Sequence, residues 1–264
     1  MNTKSGDVRE GLMRSCVLAL SVLAGFTLLP SRVQAVPMFA RQTGMSCTAC
    51  HTEFPILTEY GRQFKLNGYT MSNGLSQIPP VAVMVQPSFS FTNKDQPGGA
   101  APHFGENSNF AVSQTSLFYA GRLFGPYAES LFGATAANVL NKFGVCVQLT
   151  FDGVGGGLSW VNRELRYGDK ATIGDHQITY GFFVNNNPGL EDPWNSTPAW
   201  GFPFSSSPLG PTPGAATLID GGLSPHVAGT GAYVLLSNSV YLELAGYPTP
   251  SVPFQRAVGV APEG

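Results

Sequence analysis

Two cysteines three positions apart, followed at once by a histidine, stand at Cys47, Cys50 and His51 in the segment MSCTACH (residues 45–51). This combination occurs in three kinds of site: a redox-active disulfide, half of a zinc site, and the attachment point of a covalent haem. The three kinds of site require different further ligands and different surrounding secondary structure, so the rest of the sequence distinguishes among them.

A structural zinc site needs four ligands, usually from two such pairs. This chain has one pair, and its other histidines, His103, His176 and His226, stand alone. A redox disulfide is expected at a strand-to-helix junction of a βαβ unit, but no hydrophobic strand precedes the first cysteine. In the haem arrangement, two thiols one helical turn apart reach the two vinyl groups on one edge of the porphyrin, and the next residue places its imidazole under the iron. The pattern therefore predicts one haem c, bound through Cys47 and Cys50 with His51 as the iron ligand.

The first 35 residues are predicted to be a signal peptide. Lys4, Arg9 and Arg14 form a basic start, residues 16–29 are an apolar run, and residues 33–35 (VQA) give a small-x-small cleavage pattern. An uncleaved membrane anchor is the alternative, although the run is short for spanning a bilayer. Because haem c is attached outside the cytoplasm, the predicted export agrees with the predicted haem.

Composition narrows the class of protein further. Without the first 35 residues the chain has ten basic and fourteen acidic side chains, a net charge of −4, which argues against a nucleic-acid partner because such binding needs clustered Lys and Arg. Only 11% of all residues are charged, while Gly (32) and Pro (21) are abundant. This is the composition of a turn-rich β protein with few surface charges. Cys146 is the third cysteine outside the leader, and we assign it no function.

Residues 54–68 are predicted to form a short helix, with Pro55 in its first turn and Gly68 at its C-terminal end. One apolar stripe at four-residue spacing is formed by Ile56, Tyr60 and Phe64. Arg62 and Lys65 are expected on the polar side, either paired with haem propionates or solvated. The segment from 36 to 79 is too short to bury a core unaided, so we expect the rest of the chain to cover the haem.

After residue 80 the apolar residues alternate, as they do in strands. Strands are predicted at residues 81–92, 115–123, 145–152, 160–167, 177–182 and 240–244, in a total of about eight. Val83, Val85, Phe89 and Phe91 share one face of the first strand. Alternation alone does not say which face is inward: a soluble sandwich or barrel puts the apolar face inside, and a transmembrane barrel puts it outside. Low charge and many aromatic residues favour the transmembrane barrel.

A long segment rich in Pro and aromatic residues separates the later strands at residues 185–216. Loops of this length are usually functional or disordered, and the aromatic residues argue against disorder. These residues are Trp194, Trp200, Phe202 and Phe204. We expect a lid or constriction against the barrel, or a loop anchored at a membrane surface by its aromatic side chains.

Three stretches, FARQTGMSCTACH (39–51), FP (54–55) and YGRQFKLNGY (60–69), resemble the haem segment of the outer-membrane monohaem cytochrome c–porin fusion family, which includes outer-membrane Fe(II)-oxidising cytochromes of iron-oxidising bacteria. The resemblance is specific over residues 36–71 and loose beyond. It implies a haem segment that plugs a porin-like barrel in outer-membrane lipid, with electrons passing inward from extracellular Fe(II) to periplasmic electron-transfer proteins. Family members are longer, so we expect this chain to be part of a longer barrel.

The sequence thus predicts a mainly β chain: a signal peptide (1–35), a small α-helical haem c segment (36–79), and an antiparallel, porin-like and incomplete β-barrel (80–264). The predicted function is electron transfer at the outer membrane. The second axial position of the iron is open, or is filled by Met71, Met84 or His103. A periplasmic monohaem carrier with a soluble β domain and no substrate oxidation is the alternative. A solute porin in which the haem is only structural is a third reading.

Overall fold

The structure is a computed structural model that describes residues 37–74, 76–196, 207–211, 219, 223 and 226–257. The predicted signal peptide lies outside the described residues, as do Trp200, Phe202 and Phe204 of the predicted lid. The described residues belong to one compact unit. None of the described helices is long and apolar enough to cross a membrane.

The N-terminal part consists of three short helices and one hairpin. Its elements are α1 (Pro37–Thr43), α2 (Cys47–Cys50), the antiparallel pair β1 (His51–Glu53) and β2 (Ile56–Leu57), and α3 (Glu59–Leu66). The predicted start of α3 near Pro55 is wrong, because residues 51–57 form the hairpin and the Thr58 side chain caps the helix by accepting from Gly61 N. The predicted end is confirmed: Gly68 follows with φ 66°, a left-handed conformation that favours glycine.

The larger part is one antiparallel sheet whose seven strands are hydrogen-bonded in chain order. They are β3 (Val81–Ser90), β4 (Asn109–Arg122), β5 (Phe143–Asp152), β6 (Leu158–Ile173), β7 (His176–Asn185), β8 (Gly229–Leu236) and β9 (Val240–Gly246). Two further helices are α4 (Ala128–Leu140), between β4 and β5, and α5 (Val252–Ala257), after β9. All six predicted strands are present, and β8 was missed because its two glycines (GTGAYVLL) interrupt the alternation.

The two faces of the sheet differ in chemistry, with the apolar face directed outward. Val83, Phe89, Leu117 and Leu242 are 62%, 65%, 52% and 58% exposed. The opposite face is buried and largely polar. Its buried polar members include Ser116, Gln148, Asn162, Glu164 and Arg166. This is the reverse of a soluble antiparallel sheet, which buries its apolar face.

The sheet is open, so a closed barrel is not what these strands form. Among the described strands, β3 and β9 are edges that pair on one side only. Seven strands are fewer than the eight of the smallest outer-membrane barrels. The N-terminal part packs on the buried face. The prediction of a mainly β, antiparallel architecture is confirmed, and closure into a barrel by these strands is wrong.

Several hydrogen bonds fasten the N-terminal part to the buried face. The Tyr69 hydroxyl donates to Glu164 Oε2 at 2.6 Å, the Tyr233 hydroxyl to the Leu66 carbonyl at 2.5 Å, and Arg122 Nε to the Thr70 carbonyl at 2.8 Å. An apolar cluster lies beside them. Its buried members are Met38, Phe64, Tyr69, Ala82, Phe118, Ala120 and Cys146. Residues 38–71 are therefore built into the sheet's interior side and are not a separate module joined by a linker.

Candidate functional site

The two cysteines of the motif lie on a single helical turn. Helix α2 contains only Cys47–Cys50, and it ends where His51 turns to the extended conformation that begins β1. Cys47 is exposed and Cys50 is half-buried, and the two form no disulfide. Residues three apart on a helix lie on neighbouring positions of one side. Two free thiols on one side of one turn suit attachment to one edge of a porphyrin.

A backbone carbonyl orients the His51 imidazole. Its Nδ1 lies 3.1 Å from the Pro55 carbonyl oxygen, and because a carbonyl only accepts, Nδ1 carries the proton and donates. This hydrogen bond leaves Nε2 unprotonated and able to bind a metal, with the second-shell partner that metal-bound histidines usually have. Burial lowers the pKa of His51, outweighing the hydrogen bonds to the backbone of Pro55 and Ile56, which raise it. The neutral form that binds metals is therefore favoured.

Helix α3 is packed directly on the cysteine turn. The Thr58 backbone N–H donates to the Cys50 carbonyl at 2.9 Å, and the Thr58 hydroxyl donates to the Ala49 carbonyl at 2.6 Å. A Cβ added at Gly61 would overlap the Cys50 carbonyl oxygen and lie 3.0 Å from Leu57. Sequence reasoning missed these roles of Thr58 and Gly61. A Thr followed by Glu and an apolar pattern is an N-cap signal that could have located the first of them.

The side chain of Lys65 differs from the prediction. It was expected on the polar side of α3, but it is buried, with Nζ donating to the Asp192 carbonyl and to Asn195 Oδ1, both at 2.7 Å. The predicted stripe is also revised, because Ile56 lies in β2 and the buried residues of α3 are Gly61, Phe64, Lys65 and Leu66. Arg62 is half-exposed, as predicted, and its guanidinium carbon lies 6.0 Å from the centre of the Trp194 ring.

The three candidates for a second axial ligand occupy different surroundings. Met71 and Met84 both pack, half-buried, against the apolar cluster that contains Phe64 of α3. His103 is exposed in the loop between β3 and β4, with a left-handed φ of 71°. The fold thus brings Met71 and Met84 to one cluster and leaves His103 apart from it.

A cluster of buried charges lies on the sheet beside α3. Arg166 is fully buried: Nε donates to Glu164 Oε1 at 2.6 Å, and Nη2 lies 2.5 Å from both Glu164 Oε1 and Glu191 Oε2. Its guanidinium carbon also lies 5.1 Å from the centre of the Tyr233 ring. Sequence reasoning missed this cluster. The signal in the sequence was the alternation of Asn162, Glu164 and Arg166 with apolar or long side chains in β6. This alternation indicates a polar inner face only when the outward face of the sheet is already known.

The described part of the predicted lid lies between the charge cluster and the cysteine motif. After β7, residues Pro188–Glu191 form a short 3₁₀ helix, and Trp194 lies a few residues beyond. The Leu57 N–H donates to the Trp194 carbonyl at 2.9 Å, while Lys65 binds Asp192 and Asn195 on the same loop. The described part of this segment therefore contacts the N-terminal part.

These observations bear on the three chemistries that MSCTACH allows. Among the described residues, no three His, Cys, Asp or Glu side chains are grouped so that they could hold a metal ion together. Cys146 is buried in the apolar cluster and cannot serve as a further ligand beside Cys47 and Cys50 without repacking. A haem would need fewer side chains to meet at the metal, because the two thiols would bind the porphyrin edge and only the imidazole would bind the iron. The donor set therefore fits haem.

The resemblance of residues 36–71 to a cytochrome–porin family concerns sequence alone. No protein-family profile matches the chain, and no curated protein or solved structure is significantly similar to it. Membership of that family stays a prediction.

Proposed function

We propose that this chain is an electron-transfer protein of the c-type cytochrome class, with one haem held covalently by Cys47 and Cys50 and with His51 as the iron ligand. The observation that carries the proposal is the Nδ1 hydrogen bond of His51 to the Pro55 carbonyl, which places the ring proton on Nδ1, in the residue that directly follows two thiols on one turn. When bound, the haem supplies reversible one-electron chemistry at its iron.

The residues of the chain then have separate roles. Thr58 and Gly61 fix the cysteine turn against α3, so that the spacing of thiols and imidazole is held by packed backbone. Met71 and Met84, which pack half-buried against the apolar cluster that α3 helps to form, are the thioethers that would supply a second iron ligand. Cys47 is exposed, which supports electron exchange with a partner protein at that edge. We therefore propose periplasmic electron-transfer proteins as acceptors.

The outward apolar face supports a position in outer-membrane lipid. Large apolar side chains on five strands point outward and are at least half exposed; these include Val83, Phe89, Phe110, Leu117, Leu158, Val184 and Leu242. In water such a face is costly, about 25 cal/mol for each Å² of apolar surface, whereas lipid covers it. The soluble β domain of the alternative function would leave this face in water.

In lipid, an unpaired strand edge is also costly. We therefore propose that β3 and β9 are joined by further strands in a porin-like barrel with residues 38–71 inside it. Extracellular Fe(II) as electron donor follows from the family resemblance alone.

The first experiment tests the haem. The purified protein is extracted with acidified acetone and assayed as pyridine haemochrome. Wild type and Cys146→Ala should retain one covalent haem, Cys47→Ser and Cys50→Ser should each give the shifted α-band of a haem with one vinyl group left, and the double variant should lose its haem to the solvent. Equal haem content in the double variant and in Cys146→Ala would overturn the proposal.

The second experiment tests location and donor. Recovery with the outer membrane and release by detergent are expected, and recovery in the soluble periplasmic fraction would favour the soluble carrier. Fe(II) added to the oxidised protein should give the reduced α-band within the mixing time. If ascorbate reduces the protein and Fe(II) does not, Fe(II) oxidation is excluded and electron transfer stands. A conductance in planar bilayers that is the same for oxidised and reduced haem would favour the solute porin.

A further inference from the structure

Helix α4 has an apolar surface that the described part of the protein leaves uncovered. Leu131, Phe132 and Val139 are 63%, 49% and 57% exposed, and the two buried residues of the helix are alanines. Glu129 is the single charged residue of α4. A helix that is apolar on most of its surface is normally buried, in a protein core or in a membrane. The apolar side of α4 therefore requires a covering from outside these residues.

The strand connections differ in length between the two ends of the sheet. At the end that carries α4, the other two connections have only two and three residues, so we name it the short-turn end. Its connections are residues 123–142, 174–175 and 237–239. The connections at the opposite, long-loop end are residues 91–108, 153–157 and 186–228. Outer-membrane barrels have short turns on the periplasmic side and longer loops on the extracellular side. The short-turn end is therefore expected to face the periplasm.

Aromatic side chains form a belt on the outward face at the short-turn end. The Tyr167 and Phe182 rings are stacked with their centres 5.2 Å apart, and the Phe143 ring lies 5.1 Å from that of Tyr167. The Tyr167 hydroxyl donates to Asp169 Oδ2 at 3.2 Å, and Lys142 Nζ pairs with the same oxygen. Aromatic rings bordered by hydroxyl and charged groups are typical of the boundary between a membrane and water.

A second aromatic belt lies on the outward face at the long-loop end. Its exposed members are Phe89, Phe110, Phe151 and Trp160. Strand β5 runs from Phe143 in the first belt to Phe151 in the second. The side chains that alternate outward between them are aliphatic: Val145, Val147 and Leu149. These nine residues have the length with which a tilted strand crosses the apolar layer of a membrane. The first belt thus marks the level of the lipid headgroups, and α4 ends three residues before it in the chain.

We propose that α4 is a membrane-surface helix that lies in the periplasmic headgroup layer of the outer membrane, with Leu131, Phe132 and Val139 in contact with phospholipid acyl chains. This inference rests on the proposed position of the sheet in outer-membrane lipid. Phospholipid fits α4 better than a protein partner, because the helix adjoins the headgroup level and continues the outward apolar face. Since α4 has a single, negative charge, its attraction to lipid comes from apolar contact and not from anionic headgroups.

Helix α3 supports the choice of the periplasmic layer. Gln63 Nε2 donates to Asn238 Oδ1 in the turn between β8 and β9 at 3.2 Å, so the helix that is packed on the cysteine turn contacts the short-turn end of the sheet. Exchange with the periplasmic electron-transfer proteins proposed above requires access from this side.

Nitroxide labels on single cysteines measure the depth of α4 in the membrane. The haem-loaded Cys146→Ala protein, in which haem occupies the other two cysteines, is labelled at Leu131→Cys or Phe132→Cys and reconstituted in vesicles of phosphatidylethanolamine and phosphatidylglycerol. Paramagnetic resonance compares the accessibility of each label to oxygen, which concentrates among acyl chains, with its accessibility to a water-soluble nickel chelate. Leu117→Cys on the outward face is the lipid reference, and the exposed Lys94→Cys is the water reference. The oxygen-to-chelate ratio on α4 should be several-fold higher than at Lys94→Cys.

The two reference labels separate this inference from the function on which it rests. If Leu117→Cys favours oxygen while the labels on α4 behave like Lys94→Cys, the sheet lies in lipid and the membrane-surface helix is refuted. If the labels on α4 are shielded from both reagents, a protein partner or a second copy of the chain covers the helix, which also overturns the inference. If Leu117→Cys favours the chelate, the proposed position in lipid fails together with this inference, while covalent haem in the same sample leaves the cytochrome function intact.

Labelling of whole cells tests which leaflet α4 adjoins. The reagent is a maleimide on a polyethylene glycol too large to cross the outer membrane. Lys94→Cys at the long-loop end should react in intact cells, and Asp175→Cys in the turn between β6 and β7 should react only after the outer membrane is permeabilised. Reaction of Asp175→Cys in intact cells would overturn the assignment of α4 to the periplasmic side.

Discussion

Replacing Gly61 by alanine tests the closest contact of the candidate site. In the interior of an ordinary helix this change is stabilising by about 1 kcal/mol, because alanine has the higher helix propensity. Here the added Cβ would overlap the Cys50 carbonyl oxygen and lie 3.0 Å from Leu57. The carbonyl is backbone, and it is held by the N–H of Thr58 at 2.9 Å, so it cannot move aside as a flexible side chain would.

The expected loss of stability in Gly61→Ala is the cost of overpacking minus the gain in helix propensity. Overpacking in a dense interior costs about 1–3 kcal/mol, and contact with backbone places Gly61 at the upper end. After subtraction of the helix-propensity gain, we expect the free energy of unfolding to fall by about 2 kcal/mol, and for a unit of this size the melting temperature to fall by roughly 4–8 °C. The sign of the change is thus opposite to that of an ordinary helical glycine.

Thermal unfolding in detergent, followed by circular dichroism, measures this change, and haem content by pyridine haemochrome measures its effect on the cysteine turn. Gly246→Ala is the control, because a Cβ there meets nothing within 4 Å and the melting temperature should stay the same or rise slightly. A higher melting temperature in Gly61→Ala would refute the close packing of α3 on the cysteine turn.

Three further predictions concern the buried charge cluster and the outward face of the sheet. Arg166→Met removes the guanidinium that pairs with two buried carboxylates and should lower the free energy of unfolding by about 3–5 kcal/mol. Lys142→Met breaks a partly exposed pair and should change the melting temperature much less. Equal losses would contradict the buried cluster. Burial raises the pKa of Glu191 to about 8, so its contribution to stability is complete below about pH 4.5 and is lost as the pH rises to about 8. In Glu191→Gln the melting temperature should therefore change less with pH over this range than it does in the wild type. Leu117→Arg, on the outward face, should cost about 2–4 kcal/mol if that face lies in lipid, and membrane-fraction yields unchanged from wild type would argue for a soluble domain.

Haem attachment at the cysteine motif could be predicted from sequence because the spacing on which the prediction depends is local. Cys47, Cys50 and His51 lie within a segment of five residues, so their mutual spacing is fixed by the chain itself. The strands could be predicted for a similar reason, since a period of two is a property of each strand alone. The start of helix α3 was predicted five residues too early, at residue 54 and not at Glu59, because Pro55 suits a helix start and a hairpin turn equally well. The pairing of β1 with β2 depends on residues on both sides of that proline.

The sequence by itself determined the mainly β class and the alternation of each strand, and it predicts haem attachment at MSCTACH, because these depend on residue types and short spacings. Only the tertiary structure decided which face of the sheet is buried, since alternation is symmetric until something covers one side; here residues 38–71 cover the polar side. In the structure the Lys65 side chain points inward, near Arg166 and Glu191, which lie 101 and 126 positions further along the chain. Their meeting depends on the order in which the strands pair, which no local pattern records.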